Sequence, residues 1–194
     1  MKFQFIGDSI TDGDPIHGGF RETALAHLTN YGYDPEFVGT LSKGTFSQPQ
    51  HDGHTGARID TVEGMLYDIL SPFIADVLVV LLGINDCASK YHNGAYRMDR
   101  FIYHANAIVP SAKILVGMLG PFLDGDMDRG RLANEHNLAL PSIVARWSCA
   151  RLLYSHSWLN PTELGDGVHP SDPTGYAVLG SLLAREIHEV LSAW

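Results

Sequence analysis

The run Val77-Leu78-Val79-Val80-Leu81-Leu82, closed by Gly83-Ile84-Asn85-Asp86, decides how the rest of the chain is read. An unbroken apolar run of this length, bounded by a turn signal, suits a strand covered on both faces. Strands of that kind belong to parallel sheets, whose crossovers place helices above and below.

Reading outward from it, apolar runs alternate with segments of helical period. Phe3–Ile6, Glu36–Gly39, Lys113–Met118 and Arg151–Tyr154 are the other strand candidates. Leu25 and Leu28 mark a first helix, and Ile59, Val62, Leu66 and Ile69 a second. Phe101, Ile102, Ala105, Ile108 and Val109 mark a third, and Tyr176, Leu179, Leu183, Ile187 and Val190 the last. Arg131–Trp147 also has helical character, with Pro141 expected to kink or divide it. The expected fold is α/β: a three-layer α/β/α sandwich with a five-stranded parallel sheet, flavodoxin-like. In such sheets, sites gather beyond the carboxyl ends of the strands.

The 194 residues, 45% of them hydrophobic, fit one domain over residues 1–194. A chain of this length buries enough surface to need no disulfide or metal staple. A formal charge of −9 without a Lys/Arg cluster argues against a nucleic-acid partner. Cys87 and Cys149 lack the spacing of a zinc site and read as buried free thiols or as one disulfide. No metal and no cofactor is expected. Asp124, Asp126, Asp128 and Glu135 stand at loop positions 1, 3, 5 and 12 of a calcium-loop pattern, but Arg129 replaces its glycine and Gly130 comes one place late, so they read as carboxylates on a solvated turn ahead of the alternative, a calcium loop. No signal-peptide pattern and no 18-residue apolar stretch is present, so no membrane partner is expected. The chain reads as cytoplasmic or, if a polysaccharide is its substrate, as the mature domain of a secreted protein.

Four fragments carry chemistry. Gly7-Asp8-Ser9-Ile10-Thr11 follows the first strand, where a serine at a strand-to-helix turn exposes its hydroxyl and its own N–H. The same serine would also serve as a helix N-cap. His51-Asp52-Gly53-His54-Thr55-Gly56-Ala57-Arg58, read as the loop between the second strand and its helix, has glycines that permit close backbone approach, so the Gly56 N–H is a candidate oxyanion donor or simply a turn element. Asn85 offers two uncharged amide donors after the third strand, or a turn cap. Asp166-Gly167-Val168-His169-Pro170 precedes the last helix, where a carboxylate three residues from a histidine can reach its ring N–H and fix the tautomer, or the histidine is simply structural or solvated.

This order of Ser, Gly, Asn and Asp/His fragments resembles the SGNH (GDSL) hydrolase superfamily. Gly7-Asp-Ser-Ile-Thr-Asp-Gly13, Phe37-Val-Gly39, His51–Gly56 and Asp166–Pro170 are similar to the acetyl xylan esterases of carbohydrate esterase family 3. The resemblance implies Ser9 as nucleophile, His169 as general base and Asp166 as its orienting carboxylate. It also implies an oxyanion hole of the Ser9 N–H, the Gly56 N–H and the Asn85 amide. Asp12 stands where that family's motif has Glu, and Ala57-Arg58 where aromatic residues often follow the glycine. The implied activity is hydrolysis of short acyl esters on acetylated carbohydrate or another small ester. A different small-ester deacetylase, a thioesterase or a lysophospholipase would use the same residues, and a catalytically silent carbohydrate-binding module would keep the fold. Tyr91, Tyr96, Trp147 and Trp158 are candidates to stack on a sugar, or packing residues.

Overall fold

In the computed structural model, which describes residues 1–194 except for the side chains of Ser155 and Trp158, the apolar run becomes β5 (Val77–Leu81), at the middle of a mostly parallel sheet. The other strands are β1 (Lys2–Gly7), β2 (Glu36–Val38), β3 (Leu41–Ser42), β4 (Gln50–Gly53), β6 (Lys113–Gly117) and β7 (Ala150–Leu153). The strand order is β3-β4-β1-β5-β6-β7, with β2 also on β1. Alternation along β5 divides the core. Val77, Val79 and Leu81 pack toward α2 (Arg21–Asn30) and α8 (Thr174–Ser192), and Leu78, Val80 and Leu82 toward α3 (Ile59–Glu63), α4 (Leu66–Leu70) and α6 (Gly94–Ile108). The three-layer α/β/α reading therefore holds.

The strand count needs correcting from five to seven. The position beside β1 is shared: β2 pairs with Lys2–Gln4, and β4 pairs with Ile6 and Gly7. A short antiparallel pairing of β3 with β4 brings the chain back between the two halves. His51–Gly53 thus lies in a strand rather than a loop. Its inward residues are polar, which hides it from any hydrophobic pattern. Asp52 is fully buried and takes hydrogen bonds from Gln4 Nε2 (2.7 Å) and Thr40 N (3.1 Å).

Two helix expectations also change. The segment from Ile59 to Ile69 is two short helices, separated at Gly64-Met65. Conversely α7 (Met127–Val144) starts earlier than expected and runs through Pro141 undivided. Only Ser142, Ile143 and Val144 follow the proline in that helix, so its missing donor and ring disturb just the last turn. The Pro141 carbonyl still accepts from Ala145 N at 3.0 Å.

Both cysteines are free thiols. Cys87, on α5 (Ile84–Ala88), is buried on the α8 side of the sheet, while Cys149 is only partly buried on the α6 side. Among the described residues no helix is long and apolar enough to cross a membrane.

Three buried histidines set the acid tolerance of this fold. Burial pushes His51 down to about 3, helped by Arg21, and pushes His136 and His156 down to about 4, helped by Arg97 and His169 respectively. Each is neutral when folded but takes a proton near pH 6.5 when unfolded, so the stability it contributes is complete above that pH and is lost as pH falls toward 4. Asp8 opposes one of these protons, because burial raises its carboxyl to about 7. Asp52 and Asp86, raised by burial, and His17, raised by its bond to Glu22, act in the same direction as Asp8, while each histidine proton left unbalanced is worth about 1.4 kcal/mol per pH unit. Urea unfolding at pH 7, 6 and 5 should show the free energy falling steadily; a constant value across that range would contradict the burial of neutral histidines.

Candidate active site

The nucleophile candidate sits where β1 ends. Gly7 closes β1, and a Cβ there would lie 2.0 Å from Thr11 Oγ1 and 2.8 Å from the Leu81 carbonyl, so only glycine lets the short helix α1 (Ser9–Asp12) fold back so tightly. Asp8, not Ser9, is the N-cap of α1: its Oδ1 accepts from Ile10 N at 3.0 Å. The Ser9 hydroxyl is thereby left out of the cap and meets His169 Nε2 at 2.8 Å.

His169 is held from its other side. Its Nδ1 lies 2.8 Å from Asp166 Oδ2, and Asp166 Oδ1 accepts the backbone N–H groups of His169 (2.7 Å) and Val168 (3.0 Å). Against a desolvation penalty, those amides and the imidazole hold the Asp166 carboxyl down to about 2. It is therefore a carboxylate at neutral pH. With Nδ1–H donated to it, Nε2 presents a lone pair to Ser9.

The Gly56 turn and Asn85 come together. Gly56 has φ +77° in an exposed turn with open space where a side chain would stand. Asn85 Nδ2 donates to the carbonyl of the next residue, Ala57, at 3.1 Å. Asp86 Oδ2 accepts from Ile59 N at 3.1 Å, so α5 holds this turn at two points. On the nucleophile side, Asp12 Oδ2 accepts from Thr55 Oγ1 (2.8 Å) and pairs with Lys43 Nζ (2.7 Å). Asp12 thus ties the helix bearing Ser9 to the turn bearing Gly56.

Around His169 opens a cleft of about 270 Å³, lined by Ile84, Asn85, Phe122, Arg129, Asp166 and Val168 among others. It brings Asn85, Asp166 and His169 onto one surface beyond the carboxyl ends of β1 and β5. Arg21 was not read from the sequence as part of this region. It is fully buried and donates to the carbonyls of Thr11, Asp12, Lys43 and Pro49, which braces α1 from behind. Four backbone carbonyls accept its N–H groups while Asp12 and Asp14 offset its charge, and backbone acceptors leave no mark in a sequence. Asp8 was also missed in its role as a buried cap, although an acidic residue directly before a serine at a helix start is a signal for one.

The stacking candidates fare differently. The Tyr91 ring is already occupied by the guanidinium groups of Arg58 (4.8 Å) and Arg97 (4.7 Å), and Trp147 packs beside Tyr103 while donating to Asp99. Tyr96 is exposed but stands at a different cavity, and the Trp158 side chain lies outside the described residues. The acidic loop is tied up internally. Asp124 pairs with Arg129, Asp126 caps α7 and pairs with Lys90, and Glu135 pairs with Arg131. Among the described residues no group of three His, Cys, Asp or Glu side chains is arranged to hold a metal ion.

A family model described as GDSL-like lipase/acylhydrolase matches residues 5–178. The chain belongs to that family. A multidomain esterase of Ruminococcus flavefaciens is 24% identical across the whole of this acylhydrolase-family chain, which spans 29% of that protein's length. Among solved structures, a family 3 carbohydrate esterase of Clostridium thermocellum superposes with a TM-score of 0.87 at 21% identity, covering 100% of this chain and 98% of that one. A family 3 carbohydrate esterase from Talaromyces cellulolyticus gives 0.81 at 20% identity, over 100% and 99% of the two chains. A catalytic mutant of Axe2, an acetylxylan esterase from Geobacillus stearothermophilus, gives 0.74 at 17% identity, over 96% and 95%. At these identities the structural neighbours establish a shared fold.

Proposed function

We propose that this GDSL-family chain acts as a serine esterase that removes short acyl groups, acetyl above all, from carbohydrate hydroxyls. The observation that carries this reading is the continuous contact from Ser9 Oγ through the His169 ring to Asp166, each link 2.8 Å long. Ser9 Oγ attacks the ester carbonyl while His169 Nε2 takes its proton, and the imidazolium formed is stabilised by the Asp166 carboxylate. The tetrahedral oxyanion is received by the Ser9 N–H, the Gly56 N–H and the Asn85 amide. His169 then protonates the departing alcohol. Water attacks the acyl-enzyme by the same route, releasing the acid and restoring Ser9.

A small acyl group is supported by the cleft. It opens beside His169 and Asn85 rather than over Ser9 itself, and the charged Arg129, Asp124 and Asp166 interrupt the apolar surface of Phe122, Ile84 and Val168, which disfavours a fatty chain. Cleavage of p-nitrophenyl acetate should therefore exceed that of p-nitrophenyl octanoate in kcat/KM, by about tenfold or more, since each misplaced methylene costs a fraction of a kcal/mol or more. A faster octanoate would point to the lipase-like reading instead. The carbohydrate part is supported by family 3 carbohydrate esterases and an acetylxylan esterase among the structural neighbours. Acetate release from acetylated xylan, measured beside acetylated monosaccharides and an acetyl thioester, tests it. A preference for the thioester would overturn the carbohydrate assignment.

A further inference from the structure

A second cavity, of about 200 Å³, lies between the start of α6 and the middle of α7 and shares no lining residue with the esterase cleft. Cys87, Gly94, Ala95, Tyr96, Glu135 and His136 are among its walls. The first turn of the 15-residue α6 is bare. Asn93, in the left-handed region at φ 65°, makes no side-chain cap bond, and no acidic residue stands in that turn. The Asn93 carbonyl takes the N–H groups of Tyr96 and Arg97, while those of Gly94 and Ala95, both buried residues, meet no acceptor among the described residues. An uncapped helix start presents converging donors at the positive end of the helix dipole.

The second observation comes from α7. His136 is 4% exposed, and neither of its ring nitrogens has a hydrogen-bond partner. Its Nδ1 faces the same helix start, since a Cβ on Gly94 would lie 2.8 Å from it. The neighbouring charges are already committed. Arg97 donates to Asp86, Glu135 pairs with Arg131, and burial pushes the Cys87 thiol up to about 12, so it stays neutral. Two unused backbone donors and an imidazole that can carry its proton on Nδ1 therefore belong to the walls of one small cavity, whose lining carboxylate, Glu135, is paired with Arg131.

We infer that this cavity is a binding site for a small oxyanion, a carboxylate or a tetrahedral anion, received by the Gly94 and Ala95 N–H groups and by His136 Nδ1–H. Anions seat at helix N-termini because unpaired N–H groups and the helix dipole act together there. The volume admits an anion the size of acetate or phosphate and excludes a nucleotide or an oligosaccharide. The site is independent of the esterase assignment, because no group in it takes part in acyl transfer.

Backbone amide and histidine-ring ¹⁵N spectra of the full chain, titrated at fixed ionic strength with acetate, phosphate and sulfate and with neutral methyl β-xyloside, test this directly. Saturable shifts at Gly94, Ala95 and the His136 ring with at least one anion, and none with the xyloside, are expected; which anion saturates first separates carboxylate from tetrahedral recognition. His136→Phe should weaken that binding about tenfold, the loss of one hydrogen bond to a charged group. Ala95→Pro, which removes one donor at a helix position that tolerates proline, should weaken it too. Absence of saturable shifts at these residues with all three anions, shifts that merely follow ionic strength, or undiminished binding in both variants would overturn the inference.

Discussion

Ser9→Ala is expected to lower kcat on a short acetyl ester by about 10⁴–10⁶-fold, the range seen when a serine nucleophile is removed from a working triad. The fold should survive the change. Asp8 carries the N-cap bond of α1, so the Ser9 hydroxyl has no structural partner beyond His169, and alanine is at home in a first helical turn. Urea unfolding should therefore shift by less than about 0.5 kcal/mol, the usual span for a substitution that breaks no buried contact. Loss of activity with full stability separates a chemical role from a structural one. A variant retaining more than about a tenth of the parent rate would remove Ser9 from the mechanism.

Asn85→Ala should lower kcat by about 10²–10³-fold, equivalent to 3–4 kcal/mol of transition-state stabilisation, because one oxyanion donor is lost. Unlike Ser9→Ala, it should also destabilise the protein. Asn85 Nδ2 is bonded to the Ala57 carbonyl, and Ala57 is 6% exposed, so truncation leaves a buried acceptor unpaired at a cost of about 1–3 kcal/mol. Asn85→Asp should be worse than Asn85→Ala on both measures. A carboxylate of the same shape offers no donor, and it sets a negative charge against both the Ala57 carbonyl and the developing oxyanion. KM should move much less than kcat in either variant. Activity at the parent rate in Asn85→Ala would exclude the side-chain amide as an oxyanion donor.

What could be read from the sequence divides along physical lines. β5 was legible because six apolar residues in a row have few destinations other than a strand covered on both sides. Helices α6 and α8 were legible from three- and four-residue spacing of buried side chains. β4 was not, because Gln50-His51-Asp52-Gly53 is a strand whose inward side chains are polar, and the buried Asp52 finds its partners in Gln4 and Thr40, outside any pattern the segment itself carries. The same reason hid Arg21, a helix residue that looks like solvent-facing charge until four remote carbonyls close around it. Pro141 misled in the other direction, since the cost of a proline depends on how much helix follows it. In the active-site region, each of Ser9, Gly56, Asn85, Asp166 and His169 could be singled out by residue type and place after a strand or before a helix. The Asp12–Thr55 and Asn85–Ala57 bonds that hold their loops together could not, because each partner is an ordinary residue until the fold sets them side by side.

The proposed chemistry requires a hydroxyl at residue 9 made nucleophilic by the imidazole of residue 169. Reaction with a fluorophosphonate followed by tryptic mass analysis measures that property without any assumption about the natural ester. The expected product carries one phosphonyl group per chain, on the peptide Phe3–Arg21, whose only serine is Ser9, and His169→Ala should not form it at a measurable rate. An unlabelled parent protein, label on a different peptide, or equally fast labelling without the imidazole would contradict it.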